Sequence, residues 1–224
     1  MIDRLLSQIA PHRCCFCRQN GQLLCEKCKY YIENETPVGC VLCAVPCGLG
    51  GLCRRCQTKT GAIQAWCVGE RQGPLKELIN AYKFDCQRSG ARQLADLLDF
   101  VLPLLPSETV VVGVPTASRA VRVRGFDHVG LVVKQLAKRR RLKTAEVLKR
   151  ESNVTLHLLD RKARLELADS LFSLRVGPKP KVVLLVDDIV TTGTTMGGAS
   201  KLLREAGVEQ LYLACLARQS LQRK

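Results

Sequence analysis

The amino-acid sequence predicts an α/β domain with a mainly parallel sheet flanked by helices, preceded by a small cysteine-rich module. Three observations carry this expectation. From Ala62 onward, short β-branched runs alternate with amphipathic stretches of helical spacing, the pattern of a parallel sheet wound with helices. Four Cys-x-x-Cys pairs crowd the first 60 residues, which hold few apolar runs. Near the carboxyl end, a buried-strand pattern runs directly into a loop of carboxylates, threonines and glycine. The chain therefore divides into a module over residues 1–60 and an α/β domain over residues 61–224, sizes that suit one ordinary domain and a small appendage.

The elements follow in order. Pro74 to Ala81 reads as a helix start, with Leu75, Leu78 and Ile79 at helical spacing. Ala91 to Leu102 repeats the pattern with Leu94, Leu97, Leu98 and Val101, and Pro103 closes it. Val110–Val114 is a short buried strand, and Val129 to Arg140 a helix. Val182–Val186 is a second buried strand, Gly197 to Ala206 a helix ended by Gly207, and Leu211–Ala214 a last strand. Apolar residues make up 46% of the chain, enough for a real core, while a formal net charge of +15 points to an anionic partner such as nucleic acid or a polyphosphate. Aromatics at 4% argue against a broad base-stacking platform. The first residues carry no long apolar run, and no stretch is long enough to cross a bilayer. The expected location is cytoplasmic, without membrane insertion. There thiols stay reduced, so the Asn153-Val154-Thr155 sequon carries no meaning.

Thirteen cysteines in a reducing compartment point to metal rather than disulfides. The pairs are Cys14/Cys17, Cys25/Cys28, Cys40/Cys43 and Cys53/Cys56, with seven residues between the first two and nine between the last two. Each pair places two thiolates on one side of a tight turn, and two turns complete a tetrahedral zinc site. Eight ligands suit one or two structural zinc ions, and the spacing leaves open which pairs share an ion. Zinc would contribute roughly 10–16 kcal/mol to a segment with so little core. Cys15 and Cys47 are spare thiols, and Cys67, Cys86 and Cys215 read as core residues.

The loop Asp187-Asp188-Ile189-Val190-Thr191-Thr192-Gly193-Thr194-Thr195 follows a buried strand and opens a helix. Its amides can converge on one anion. Gly193 admits close backbone approach, and Thr191, Thr192, Thr194 and Thr195 add hydroxyls. Asp187 and Asp188 would repel phosphate but can accept from two neighbouring ribose hydroxyls. The earlier loop Pro115-Thr116-Ala117-Ser118-Arg119, with Arg122 and Arg124 beyond it, is placed to carry a pyrophosphate. The densest charge run, Lys138-Arg139-Arg140-Arg141 and Lys143, ends a helix, where cations suit the dipole, and is the candidate nucleic-acid contact. Arg54, Arg55 and Lys59 could extend that surface.

On these residues the chain resembles the ComF (ComFC-like) competence proteins over nearly its whole length. The resemblance rests on the cysteine pairs of Cys14 to Cys56 and on Gly73-Pro74-Leu75-Lys76-Glu77-Leu78-Ile79 leading to Lys83-Phe84. It rests equally on Arg122-Val123-Arg124-Gly125-Phe126, the carboxylate–threonine loop and Ala217-Arg218. It implies a type I phosphoribosyltransferase-like fold and a site for phosphoribosyl pyrophosphate (PRPP), with magnesium carried largely by the ligand's own oxygens. It also implies a role in natural transformation, handling imported single-stranded DNA beside a DNA helicase. The family pattern reads Asn-Gln where this chain has Asp127-His128, and it has a Gln near His157 and an Asn near Leu167. These departures bear on turnover more than on ligand binding and leave the acceptor unassigned. Either His128 or His157 could act as a general base, although a lone histidine is more often an ordinary hydrogen-bonded residue. Two alternatives share the same loop: a nucleobase phosphoribosyltransferase of salvage metabolism, and a catalytically inactive zinc-bearing DNA or helicase adaptor.

Overall fold

The computed structural model describes residues 13–35, 37–47, 51–151 and 171–219. His157, Leu167 and the sequon lie outside them. Two short helices, α1 (Glu26–Glu33) and α2 (Arg54–Thr60), belong to the cysteine-rich segment. A strand β1 (Gln64–Glu70) leads into α3 (Gly73–Lys83) and α4 (Gly90–Val101). Strand β2 (Val110–Gly113) precedes a short helix α5 (Ser118–Arg124), then α6 (His128–Arg140) and the two-residue β3 (Lys143–Thr144). Strands β4 (Leu148–Arg150) and β5 (Phe172–Leu174) form a separate antiparallel ladder. The chain closes with β6 (Val182–Val190), α7 (Thr194–Glu205) and β7 (Gln210–Arg218).

The main sheet has five strands in the order β1-β7-β6-β2-β3, and every pairing is parallel. The α/β expectation therefore holds, with β6 and β7 as the long central strands. Val182–Val186 is buried throughout because helices cover both faces. On one face, Leu75, Leu78 and Ile79 of α3, Leu94 and Leu98 of α4 and Val129, Val132 and Leu136 of α6 form a core with Leu184 and Val186. On the other, Met196, Ala199 and Leu203 of α7 pack with Val183, Leu185, Leu211 and Leu213.

Three differences from the sequence expectation have physical causes. Strand β6 continues through Val190, because β7 pairs with it as far as Arg218, so the first half of the predicted loop is strand. Helix α7 begins three residues earlier than the apolar spacing suggests, at Thr194, because Gly193 at φ 68° turns the chain directly into it. Cys86 is exposed rather than part of the core. It sits at φ 54° in the turn after α3, flanked by Asp85 and Gln87.

The cysteine-rich segment spreads over both faces of the sheet. Cys14, Leu23, Leu24, Cys25, Cys28 and Ile32 join the core of α3 and α4. Cys40, Val41, Leu42 and Cys56 join the core of α7. Arg218, buried at the end of β7, pairs with Glu70 and donates to the carbonyls of Cys40 (3.0 Å) and Val38 (2.7 Å).

Candidate functional site

Strand β2 leads through α6 outward to β3, whereas β6 leads through α7 outward to β7, and the two helices lie on opposite faces. The carboxyl ends of the adjacent strands β2 and β6 therefore bound a crevice, the place where open α/β sheets bind ligands. Both loops singled out from the sequence sit there. The Val114 amide donates to the Val186 carbonyl (2.8 Å), which holds the Pro115–Ser118 loop beside the end of β6. Thr191 and Thr192 are exposed, and Gly193, Thr194 and Thr195 are half-buried at the amino end of α7. The Thr192 and Thr194 hydroxyls are 2.8 Å apart. An unpaired helix amino terminus with hydroxyls beside it can take an anion.

The carboxylate pair is not a pair of free acceptors. Asp188 accepts from Lys83 Nζ (2.5 Å), at the end of α3, and from His128 Nε2, at the start of α6. A carboxylate this sheltered keeps its charge only with partners. Burial opposes its ionisation, but the His128 and Lys83 contacts hold it below the usual carboxylate range. Asp187 behaves in the opposite way. Burial, and then the neighbouring Asp188 charge, push it up to about 8, although its Oδ1 accepts from the Asp188 amide (2.8 Å).

The sequence offers His128 only as a possible general base and Lys83 only as part of a motif; that both pair with Asp188 was not read from it. His128 is 6% exposed. Arg124 Nη1 lies 2.9 Å from His128 Nδ1. A guanidinium only donates, so Nδ1 accepts and Nε2–H donates to Asp188. Arg124 Nε also donates to the Lys83 carbonyl (2.9 Å), and Tyr82 Oη to the His128 carbonyl (2.7 Å). Thr116 donates to Asp127 Oδ1 (2.8 Å), with its hydroxyl 3.4 Å from His128 Nδ1. The structure thus brings Thr116 and Arg124 from the pyrophosphate-side set together with Asp188, while Arg119 and Arg122 remain exposed on α5. Phe126 packs on Tyr82 with ring centroids 5.4 Å apart, under the Arg88 guanidinium.

The basic run at the end of α6 divides. Lys138, Arg141 and Lys143 are exposed. Arg139 pairs with Asp96 (2.5 Å). Arg140 turns inward to Asp99 Oδ1 (2.6 Å) and to the carbonyls of Pro103 (2.5 Å), Leu102 (2.7 Å) and Asp99 (2.9 Å). Its donors therefore satisfy the end of α4 rather than an external anion.

Adjacent cysteine pairs come together. Cys14, Cys17, Cys25 and Cys28 form one quartet and Cys40, Cys43, Cys53 and Cys56 another, with all sulfurs of a quartet within 4.8 Å of one another. Tetrahedral zinc–sulfur bonds of about 2.3 Å would set sulfurs about 3.8 Å apart. The Cys17–Cys25 and Cys43–Cys53 separations are 3.4 and 3.6 Å. Four soft donors at this spacing fit zinc and leave no open coordination position. Burial raises the last cysteine of each quartet, Cys28 and Cys56, whereas in the first the surroundings favour the thiolate. Burial opposes this, but backbone amides of Cys25, Cys17 and Phe16 bring Cys14 down to about 6. Those of Cys53, Cys43 and Leu42 bring Cys40 to about 7. Cys15 and Cys47 stand outside the quartets, and burial followed by the Cys14 charge lifts Cys15 to about 12. Among the described residues, no helix is long and apolar enough to cross a membrane.

Comparison with known proteins agrees with this geometry. Residues 105–224 match the profile of the phosphoribosyl transferase domain. Competence protein F of Haemophilus influenzae is 29% identical over 92% of this chain and 96% of its own length. DNA utilization protein YhgH of Escherichia coli K12 is 26% identical over 93% of this chain and 97% of its own. Competence protein ComFC of Streptococcus pneumoniae R6 is 26% identical over 90% of each chain.

Proposed function

This chain belongs to the phosphoribosyl transferase domain family and, over nearly its whole length, to the competence proteins F and ComFC; from that premise we propose that its crevice binds PRPP and that the protein handles single-stranded DNA in natural transformation. The phosphate ester sits on Thr191–Thr195 at the start of α7. The ribose diol meets the Asp187/Asp188 end of β6. The pyrophosphate lies toward Pro115–Arg119 and Arg122, with magnesium brought in on the ligand's oxygens. The observation that carries the reading is the meeting of carboxylates and threonine loop at the point where β2 and β6 diverge. Asp188 is held ionised by Lys83 and His128 on Oδ2, and its Oδ1, which accepts from the Ile189 amide (2.6 Å), has a second lone pair for a hydroxyl.

The DNA half rests on the relatives' names, which refer to competence and DNA utilization, and on the net charge of +15. The partner implied is a DNA helicase of the competence machinery, in the cytoplasm where the cysteine quartets stay reduced. The quartets hold two structural zinc ions. Zinc supplies fixed backbone geometry there and no reactive position.

Thermal unfolding with PRPP and magnesium tests the ligand half. Ligand at one hundred times its dissociation constant stabilises the folded state by about 2.7 kcal/mol, and the double variant Asp187→Asn, Asp188→Asn should lose this shift. A folded double variant stabilised as fully as the wild type would sink the site. Pyrophosphate release in the presence of free nucleobases would move the reading to salvage chemistry.

A further inference from the structure

The two cysteine quartets repeat in sequence but differ in what they touch. Phe16 stands between Cys15 and Cys17 as Leu42 stands between Val41 and Cys43. Phe16 is 50% exposed, whereas Leu42 is 4% exposed. Leu42 is seated against Gly193, the hinge of the threonine loop. A Cβ on Gly193 would lie 2.9 Å from both Leu42 Cβ and Leu42 O, and 3.3 Å from Leu42 Cα. No side chain fits there, so the knuckle itself occupies the space behind the turn. Gly193 at φ 68° is in the left-handed region that glycine adopts readily.

The contact is braced from both sides. The Leu42 amide faces the Cys40 sulfur, tying the residue to the quartet. Arg218 grips the carbonyls of Cys40 and Val38 from the end of β7, and the Gln219 amide donates to the Val190 carbonyl at the end of β6 (2.8 Å). Cys40, Val41, Leu42 and Cys56 share one core with Val190, Met196 and Ala199, which flank the loop on both sides. The first quartet instead joins the core of α3 and α4 on the opposite face.

We propose that the second quartet is a positioning element for the threonine loop. Leu42 sets the shape of the turn at Gly193, so that metal bound by Cys40, Cys43, Cys53 and Cys56 and a phosphate ester bound by Thr191–Thr195 stabilise each other. The first quartet takes no part in this coupling. The inference rests on the ribose-phosphate reading of the loop. Linkage makes the effect reciprocal: metal tightens ligand, and ligand slows metal loss.

The test uses the full-length, zinc-loaded protein, with PRPP and magnesium as probe. Calorimetry compares the wild type with Leu42→Ala, Leu42→Met and Phe16→Ala. Leu42→Ala keeps the Cβ and carbonyl against Gly193 but removes the branched end that seats them in the core shared with Val190, Met196 and Ala199, so it should weaken binding at least about fivefold while retaining its zinc. Leu42→Met should restore most of the affinity, and Phe16→Ala should leave it unchanged. In the wild type, zinc release to a chelator should be biphasic, with the ligand slowing one equivalent and not the other. A wild type that binds no PRPP overturns both this proposal and the reading beneath it. A wild type that binds while Leu42→Ala binds equally well, or whose zinc leaves at rates indifferent to ligand, overturns the coupling alone. Should Leu42→Ala lose zinc or fold poorly, the wild-type release kinetics decide.

Discussion

A buried carboxylate needs partners or a proton, and the adjacent Asp188 and Asp187 take one each. Asp188 has Lys83 and His128 and sits below the usual carboxylate range. Asp187 lacks a cation at bonding distance among the described residues and rises to about 8, chiefly through burial. The two have opposite linkage. The stability that Asp188 contributes is present above the ordinary carboxylate pKa and is lost as pH falls below it. Asp187 binds a proton in the native state that the unfolded chain releases near pH 4. Its contribution is therefore full below that value and declines as pH rises toward 8, by at most about 1.4 kcal/mol per pH unit. The wild-type melting temperature should fall between pH 5 and pH 8 more steeply than that of Asp187→Asn. Parallel curves for the two proteins would mean that Asp187 is ionised throughout. At this scale the sequence showed only half of the site. The carboxylates were legible because they follow a buried strand. The pairing of Lys83 and His128 with Asp188 was not, although His128 reads as a possible base, since they reach it from 105 and 60 residues away and local spacing carries no such signal.

Among elements, those with a strong apolar period were legible and those held by tertiary contacts were not. Helices α3, α4 and α6 lay within a few residues of expectation, as did the buried runs of β2 and β6, because their apolar residues repeat at 3.6-residue spacing or form β-branched blocks. Strand β1 escaped notice, since Gln64-Ala65-Trp66-Cys67-Val68-Gly69 has neither pattern and is ordered by pairing with β7. Helix α5 has no buried residue and so no stripe to read. The basic run at the end of α6 shows how one pattern hides two roles. Its charges look alike in sequence, yet Arg140 caps the carbonyls at the end of α4 while Lys138 and Arg141 face water. Arg140→Ala orphans several of those groups and should cost about 2–3 kcal/mol in urea unfolding. Lys138→Ala should stay within about 0.5 kcal/mol of the wild type. Equal, small effects would mean that water replaces the Arg140 contacts without loss.

For the whole molecule, the charge excess and the cysteine module gain meaning only from where the fold puts them. Counting cysteines indicated a zinc-bearing appendage, but the two quartets enter the cores on opposite faces of one sheet. No sequence spacing could show that, because the contacts cross from the first 60 residues to both ends of the domain. The net charge of +15 is also unevenly available. Arg124, Arg139, Arg140 and Arg218 have internal partners, while the exposed cations include Lys138, Arg141 and Lys143 at and just after the end of α6, Arg119 and Arg122 on α5, and Arg54, Arg55 and Lys59 on α2. Binding to a single strand through such groups releases counterions, so affinity falls with salt by a slope of about −0.7 for each phosphate neutralised. If the end of α6 is the contact, replacing Lys138, Arg141 and Lys143 together by alanine removes three cations. The salt slope for an oligonucleotide of mixed sequence should then become shallower by about 2. Fluorescence anisotropy across a range of potassium chloride concentrations measures this directly. A slope unchanged in the triple variant but reduced when Arg119 and Arg122 are replaced would move the strand to the mouth of the crevice, where it would run past the ligand rather than behind it.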